Sequence, residues 1–495
     1  MKKSLLFVCL PMLLASCGSS NSTASSAPST ASSEPTSETS AQESSPTSTA
    51  SSVPAGPKKE LIYRSWDLGT EAQNNEERQL VQAFEKAENV TVHIVENPGS
   101  GNAYWDGIKA SVFNGIDRAD VMMVPNLDWP LASQYLMNIK EYTDADEEFA
   151  KVPASIRDAC AFKSGVYAVP ARMNLQGYFL NTTLIEGTLG VRTDKFDCNS
   201  EFDKILNVVD KAYANKNVVG LDSAAHFIDT MASVLDETGE MGYFTWDGAS
   251  YHLDSTAFIS GVQQARALFD AGKTLDSYDA EKKEAFGLDP ELDPKADAWN
   301  KAKLAIRYGY TYEIPDMLEN NTLNQSYKFV GNPGGKITIV GDYYGIYKDT
   351  KEPELAYKFA KWMSFGKQGF LKRMELYEAK GSVNSLPLTD DEELIDKYFE
   401  MFGSTSEMSG LEDAYDYIQE NSMVEGVKVV PGFLQARQNK KTGITLGEIE
   451  NATMFELLNA CVVGGEDIAN YATELNKLAN KTYSSWMELY GGDYE

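Results

Sequence analysis

Between Glu60 and Val124 the hydrophobic pattern changes period again and again, and this alternation narrows the fold more than any other property of the chain. Glu60 to Ser65 reads as a strand that runs out at Trp66-Asp67-Leu68-Gly69-Thr70. A helix is expected next, capped by Asn74 or Asn75, with Glu76 and Glu77 in its first turn and Leu80, Val81 and Phe84 along one face. Val90 to Val95 reads as a second strand and Tyr104 to Phe113 as a second helix. Asp120 to Val124 is short and continuously apolar, the pattern of a strand buried on both faces of a parallel sheet. Strand, helix, strand, helix, strand is the rhythm of an open α/β sheet. Ligands of such sheets sit outside the carboxyl ends of the strands, which puts Trp66, Asp67, Asn126, Asp128 and Trp129 on ligand-facing loops.

Further along, Gly165 to Pro170 is followed by Ala171-Arg172-Met173-Asn174 and the strand Gly177 to Asn181. Two strands joined by so short a proline-containing link read as a crossing between lobes. Helical faces follow at Phe202, Ile205, Leu206 and Val209, and at Phe258, Val262, Ala265 and Leu268. The strand Leu304 to Tyr308 ends at Gly309-Tyr310-Thr311-Tyr312, and Ile337 to Tyr347, interrupted by Gly341, reads as a return crossing. Helices are expected to dominate from Glu354 onward, including Leu446 to Val463 and Ile468 to Leu489. The chain has 495 residues, 42% of them hydrophobic, which is enough for two large lobes with their own cores.

The amino terminus carries a different signal. Lys2 and Lys3 precede a greasy run from Leu5 to Leu13, and Leu14-Ala15-Ser16-Cys17 follows. A positive segment, a brief apolar segment and small residues make a secretory signal peptide, and the run falls well short of the ~20 apolar residues of a spanning helix. The small residues followed by cysteine resemble the lipobox of bacterial lipoproteins, in which cleavage frees the cysteine and lipid is attached to its sulfur. By that resemblance Cys17 is the lipidation site and the chain is held on the extracellular face of the cell membrane. Residues Gly18 to Pro57 are Ser, Thr, Ala, Pro and Glu with little else. Such a segment lacks apolar surface to offset ordering entropy, so a disordered tether spanning roughly 35 Å is expected.

Net charge bounds the partners. With 73 acids against 44 bases the chain carries −29, which argues against nucleic acid, whose phosphates would be repelled. Beyond Cys9 in the signal and Cys17, Cys160, Cys198 and Cys461 are scattered without close spacing, so buried free thiols are expected rather than a disulfide framework. His93, His226 and His252 lie far apart, and no HExxH or Gly-x-Ser-x-Gly is present. Gly331 to Lys336 is too short for a phosphate loop and has Ile337 where Ser or Thr is required. Asp289, Asp293 and Asp297 recur at helical spacing but with intervening prolines, and a solvated surface is expected there rather than a calcium loop. The sequence thus signals no catalytic set, no cofactor and no metal.

The order of these signals resembles the extracellular solute-binding proteins of ABC importers, in the group that includes the maltose and multiple-sugar binders. The stretches that carry the likeness are Asp120 to Asp128, Gly165 to Ala171, Tyr178 to Asn181, Lys301 to Gly309 and Glu352 to Met363, in that order after a lipobox and a Ser-rich tether. The resemblance implies a two-lobed α/β fold of the periplasmic-binding-protein type with hinge-crossing strands. It places residues 59–170 and 341–388 in lobe one, and residues 171–340 and 389–495, with extra C-terminal helices, in lobe two. It also implies a monomer that closes on a small solute and delivers it to membrane permease subunits. The family often has Trp just after the position of Gly309, where this chain has Tyr310 and Tyr312.

A sugar site needs aromatic planes for C–H faces and planar polar groups for hydroxyls. Trp66, Trp129, Trp246, Tyr310, Tyr312, Tyr343 and Tyr344 are the candidate planes; Asp67, Asn126, Asp128, Arg172 and Asn174 are the candidate polar groups. Each has a plainer role available: core packing for the aromatics, a turn cap for Asp67, an ion pair across the hinge for Arg172. Two other functions stay open: a surface-anchored glycan hydrolase with paired carboxylates, and a receptor for a peptide or another polar solute.

Overall fold

The computed structural model describes residues 58–96, 102–116, 118–403 and 407–490; the signal segment and the tether lie outside the described residues. The principal strands, in chain order, are β1 (Glu60–Arg64), β2 (Thr91–Ile94), β3 (Val121–Val124), β4 (Ala168–Pro170), β5 (Asn174–Asn181), β6 (Val219–Leu221), β7 (Leu304–Tyr310), β8 (Tyr327–Phe329), β9 (Ile337–Val340), β10 (Tyr343–Ile346), β11 (Met408–Ser409) and β12 (Ser422–Val424).

The first sheet runs β2-β1-β3-β10-β4, its first three strands parallel and β10 antiparallel to both of its neighbours. All four residues of β3 are buried, as its unbroken apolar run requires. The helix Glu76–Glu88 between β1 and β2 starts where Asn75 accepts a hydrogen bond from the Arg78 amide, and it buries Leu80, Val81 and Phe84. The second sheet is built on β5, every residue of which is buried. One edge of β5 pairs with β7, and β6 lies beyond; the other edge pairs in succession with β8 and β9, flanked by β11 and β12. Mixed α/β lobes on two sheets are the architecture that the strand–helix rhythm implies.

The chain passes between the sheets twice over very short distances. Pro170 closes β4 and Asn174 opens β5; Val340 closes β9 and Tyr343 opens β10. These crossings touch: the Ala171 amide donates to the Asp342 carbonyl at 2.7 Å. A Cβ added at Gly341 would lie 2.5 Å from the Arg172 carbonyl oxygen, so only glycine permits this approach. Residues 384–386 lie against the same place, with Leu386 N–H on the Met173 carbonyl at 2.8 Å and Met173 N–H on Ser385 Oγ at 3.0 Å.

Two expectations are corrected. Leu446 to Ala452 is not helical: Gly447 and Asn451 take positive φ, Leu446 bridges Ile449, and the helix Met454–Val463 begins only at the Thr453 cap. Asp297 is buried rather than solvated, because its carboxylate accepts from the Asp289 amide and from Lys301 Nζ, each at 2.8 Å. Cys160, Cys198 and Cys461 are buried free thiols, and burial pushes the thiol of each upward from its ordinary value.

Candidate functional site

Register builds the site on the second sheet. Gln176 of β5 stands opposite Tyr310 of β7 and Thr338 of β9, and Thr338 in turn stands beside Met423 of β12. Directly paired residues share a face, so Gln176, Tyr310, Thr338 and Met423 form one row at the hinge end of this sheet. Glu425, two residues beyond Met423 with extended φ −51 and ψ 129, continues the same face. The row is polar although it is deep. Gln176 is 7% exposed, and its Oε1 accepts no hydrogen bond among the described residues.

Charges surround the row. Asp229 is held by Arg437, with Nε at 3.0 Å and Nη2 at 3.4 Å. Tyr243 and Tyr310 keep some accessible surface, yet both hydroxyls are pushed well above the usual tyrosine range, by burial first and then by Asp229 and Glu425. Glu425 is likewise raised, by burial and by Asp342 and Asp229, against the opposing pull of Lys428. These half-buried side chains mark the candidate crevice of the fold. Tyr312 stacks on Tyr310 at 4.8 Å and 12°, which gives the crevice a broad aromatic wall.

The other wall comes from the first lobe. Lys428 donates to the Pro125 carbonyl at 2.7 Å and pairs with Asp342 at 2.9 Å, while the Gly432 amide donates to Asp128 Oδ2 at 3.1 Å. The loop after β3 therefore meets the segment after β12 directly. Asn126 shapes that loop by accepting from the Asp128 amide at 3.2 Å. Trp129 sits half-buried against Trp105 and Tyr135, and Trp66 sits half-buried edge-on to Tyr104, its indole N–H buried without an acceptor.

Beneath the crossings lies a buried ionic network. Arg172 pairs with Asp67 and lies 3.7 Å from Glu77; Glu77 also takes Arg373 at 3.0 Å, the Tyr377 hydroxyl at 3.0 Å and the Asn384 amide at 3.2 Å. Among the described residues no group of three or more His, Cys, Asp or Glu is arranged to hold a metal ion. His226 is a core residue: its Nε2 shares a hydrogen bond with the Tyr178 hydroxyl at 2.7 Å, and burial followed by Lys295 holds it well below the usual histidine range.

Residues 70–365 match the sequence model of the bacterial extracellular solute-binding protein family, well over half of the chain. The chain belongs to that family. No curated protein sequence matches it. Solved structures that share its fold include an ABC substrate-binding protein from Listeria monocytogenes in complex with cycloalternan, 15% identical, with TM-score 0.60 over 88% of this chain and 100% of that one. The galacto-N-biose-/lacto-N-biose I-binding protein of Bifidobacterium longum is 14% identical, with TM-score 0.59 over 88% of this chain and 98% of that one. The cyclic α-maltosyl-1,6-maltose binding protein of Arthrobacter globiformis is 12% identical, with TM-score 0.58 over 87% and 100%. No helix among the described residues is long and apolar enough to cross a membrane.

In this solute-binding protein the residues singled out from sequence fall into two groups. Asn126, Asp128 and Trp129 lie on or next to the loop that meets the second lobe, Tyr310 and Tyr312 stand by the polar row, and Trp66 packs edge-on to Tyr104. Trp246 is half-buried between Tyr251 and Tyr483, and the Tyr343 hydroxyl donates to the Lys428 carbonyl at 3.0 Å, so it fastens the crossing. Four expectations are corrected. Tyr344 is 0% exposed in the first-lobe core, with its hydroxyl against that of Tyr63, because β10 is a central strand. Arg172 and Asp67 form an ion pair with each other inside the hinge. Asn174 spends its amide on the Asn384 carbonyl at 3.3 Å and on the Thr311 hydroxyl at 3.1 Å. Sequence reading missed Gln176, Asp229, Tyr243, Glu425, Lys428 and Arg437. Only register, or the pairing of segments about 200 residues apart in sequence, brings those side chains together.

Proposed function

We propose that this chain is a lipid-anchored extracellular receptor that captures a carbohydrate, an oligosaccharide in the fullest form of the reading, and hands it to the permease of an ABC importer. The observation that carries it is the hinge end of the second sheet, where Tyr310, stacked on Tyr312, shares a row with Gln176 and Thr338 and has Asp229 and Glu425 near it. Sugars offer C–H faces to such planes and hydroxyl donors to such acceptors. The ligands in the neighbours' complexes, cycloalternan and lacto-N-biose, support the same class. Trp66, Asn126, Asp128, Trp129, Trp246, Tyr310, Tyr312 and Tyr343 are retained as candidate contacts, joined by Gln176, Tyr243, Asp229 and Glu425.

Ligand that touches both walls favours the closed arrangement, and closed receptor docks on the permease. Cys17 supplies the anchor and residues 18–58 the tether, which keeps the globular part near its transporter. The test is a thermal-shift screen against an oligosaccharide panel, run beside an assay for released reducing ends. Stabilisation without turnover is the expected result. Turnover that disappears on replacing one crevice carboxylate would instead make the protein a glycan hydrolase, and stabilisation only by peptides would make it a peptide receptor.

A further inference from the structure

Six arginines are buried among the described residues. Arg78, Arg172, Arg307, Arg373 and Arg437 each pair with a carboxylate. Arg64 does not. It is 7% exposed, yet its guanidinium has neither an ion pair nor a hydrogen bond among the described residues, and its Nε is buried without an acceptor. A buried cation without a counter-charge is costly, and the other five arginines show how this chain ordinarily avoids that cost.

Arg64 is the last residue of β1, at the carboxyl end of the sheet, and stands opposite Met122 of β3. Met122 belongs to the cluster that holds Tyr104 and Tyr135; burial pushes the hydroxyls of both tyrosines upward, and the Arg64 charge opposes it. The carboxylates that act on the same two tyrosines are committed elsewhere. Asp342 pairs with Lys428 at 2.9 Å, and Asp120 accepts from the Ile62 amide at 2.8 Å and from the Thr350 hydroxyl at 2.6 Å. Two residues beyond Arg64, Trp66 packs edge-on to Tyr104, and its indole N–H is a second buried donor without an acceptor. Val424, Val429 and Trp486 of the second lobe pack against this same aromatic cluster, so both donors belong to the first-lobe wall where the lobes meet.

Resting on the carbohydrate reading above, we infer that Arg64 and Trp66 form an anion subsite, and that the saccharide taken by this receptor carries a carboxylate, as a uronic acid residue does. A carboxylate is singly charged and only accepts hydrogen bonds, which matches one unpaired guanidinium and one spare indole N–H. The guanidinium fork suits its two oxygens side by side. Asp229 and Glu425 stand near Tyr310 on the second lobe, so the acid of the ligand belongs at the first-lobe wall and its neutral hydroxyls at the polar row. The overall excess of acidic residues acts at longer range and is screened by salt, whereas Arg64 acts at contact.

Arg64→Met keeps much of the side chain's bulk and removes its charge. In scanning calorimetry of ligand-free protein this variant should melt above the parent, because an unpaired cation is gone. A variant melting at or below the parent would make Arg64 a structural residue and overturn the inference. Titration calorimetry then compares a galacturonic acid trimer and a xylotriose bearing glucuronic acid, each as free acid and as methyl ester, with a neutral glucose trimer. The parent should bind at least one free acid about tenfold or more tightly than its ester, by the usual worth of a charge-assisted hydrogen bond. Arg64→Met should bind acid and ester alike, and Arg64→Lys should keep part of the preference. A parent that binds neutral saccharides but neither acid, or an Arg64→Met protein that still prefers the acid, would overturn the inference and leave the carbohydrate reading intact. If no saccharide binds, both readings fall together.

Discussion

Glu77→Leu is the substitution that most directly tests the buried ionic network beneath the crossings. Glu77 is 2% exposed and lies in the first turn of the helix after β1. Its two oxygens take Arg373, which is 1% exposed, together with Tyr377 and Asn384, and Arg172 is close by. Neither arginine can lose its proton at ordinary pH, so removing Glu77 leaves buried positive charge facing positive charge. Asp67 still serves Arg172, while among the described residues Arg373 keeps the Met363 carbonyl at 2.8 Å. Breaking a buried pair from one side costs about 3–5 kcal/mol, and burial this complete leaves no solvent screening to discount. At roughly 2–4 °C per kcal/mol for a unit of this size, the melting temperature should fall by about 10 °C. Scanning calorimetry and urea unfolding would measure it, and Glu77→Leu combined with Arg373→Met should recover most of the loss. A single mutant that melts within about 2 °C of the parent would refute the claim that this network carries structural weight.

Other perturbations bear on the hinge and the crevice. Gly341→Val forces a Cβ against the Arg172 carbonyl and should cost about 1–3 kcal/mol in urea unfolding, with a lower affinity for any ligand that needs the closed form. Lys428→Met removes the bridge from Asp342 to Pro125, so small-angle scattering of ligand-free protein should show a larger radius of gyration than the parent. Glu425→Gln should raise the melting temperature of ligand-free protein at pH 7. The carboxyl is raised in the folded state, so its ionisation penalty is present above the folded value and absent below the ordinary carboxylate range. The advantage of the mutant must therefore shrink as pH falls through that window, and a pH-independent gain would contradict the assignment.

The first lobe was legible in the sequence because its signals are local. Asn75 caps where a cap was expected, β3 is buried throughout, and Pro170 and Gly341 mark the crossings. Much of the site was not, and the reason is physical. Gln176 and Thr338 belong to strands that read as core, and only their antiparallel register shows that a polar row runs across the sheet. Glu425 and Lys428 come from a segment with no strong period, given position by pairing of β12 with β9. Asp67 was expected to hold a solute because it follows the carboxyl end of a strand, and Arg172 as a planar polar group, with an ion pair across the hinge as its plainer role. Their position beside the crossings makes them each other's partners, since a charge buried in a hinge must first be neutralised.

The division of labour between the walls follows from these placements. The candidate acceptors sit on the sheet of the second lobe, where strands on both sides of β5 fix their geometry. The first lobe contributes a loop, Pro125 to Asp128, whose contacts across the gap are Lys428 to Pro125 and Gly432 to Asp128. These two hydrogen bonds contribute about 1–4 kcal/mol together, beside the packing of Val424, Val429 and Trp486 against the first-lobe cluster that holds Leu127. Ligand adds to these contacts through groups that the crossing loop alone does not satisfy. Glu425 and Gln176 are such groups. On the proposed reading, a solute that meets them while resting on Tyr310 and Tyr312 adds its full free energy only when the first-lobe loop is also in place, so recognition and closure become one event.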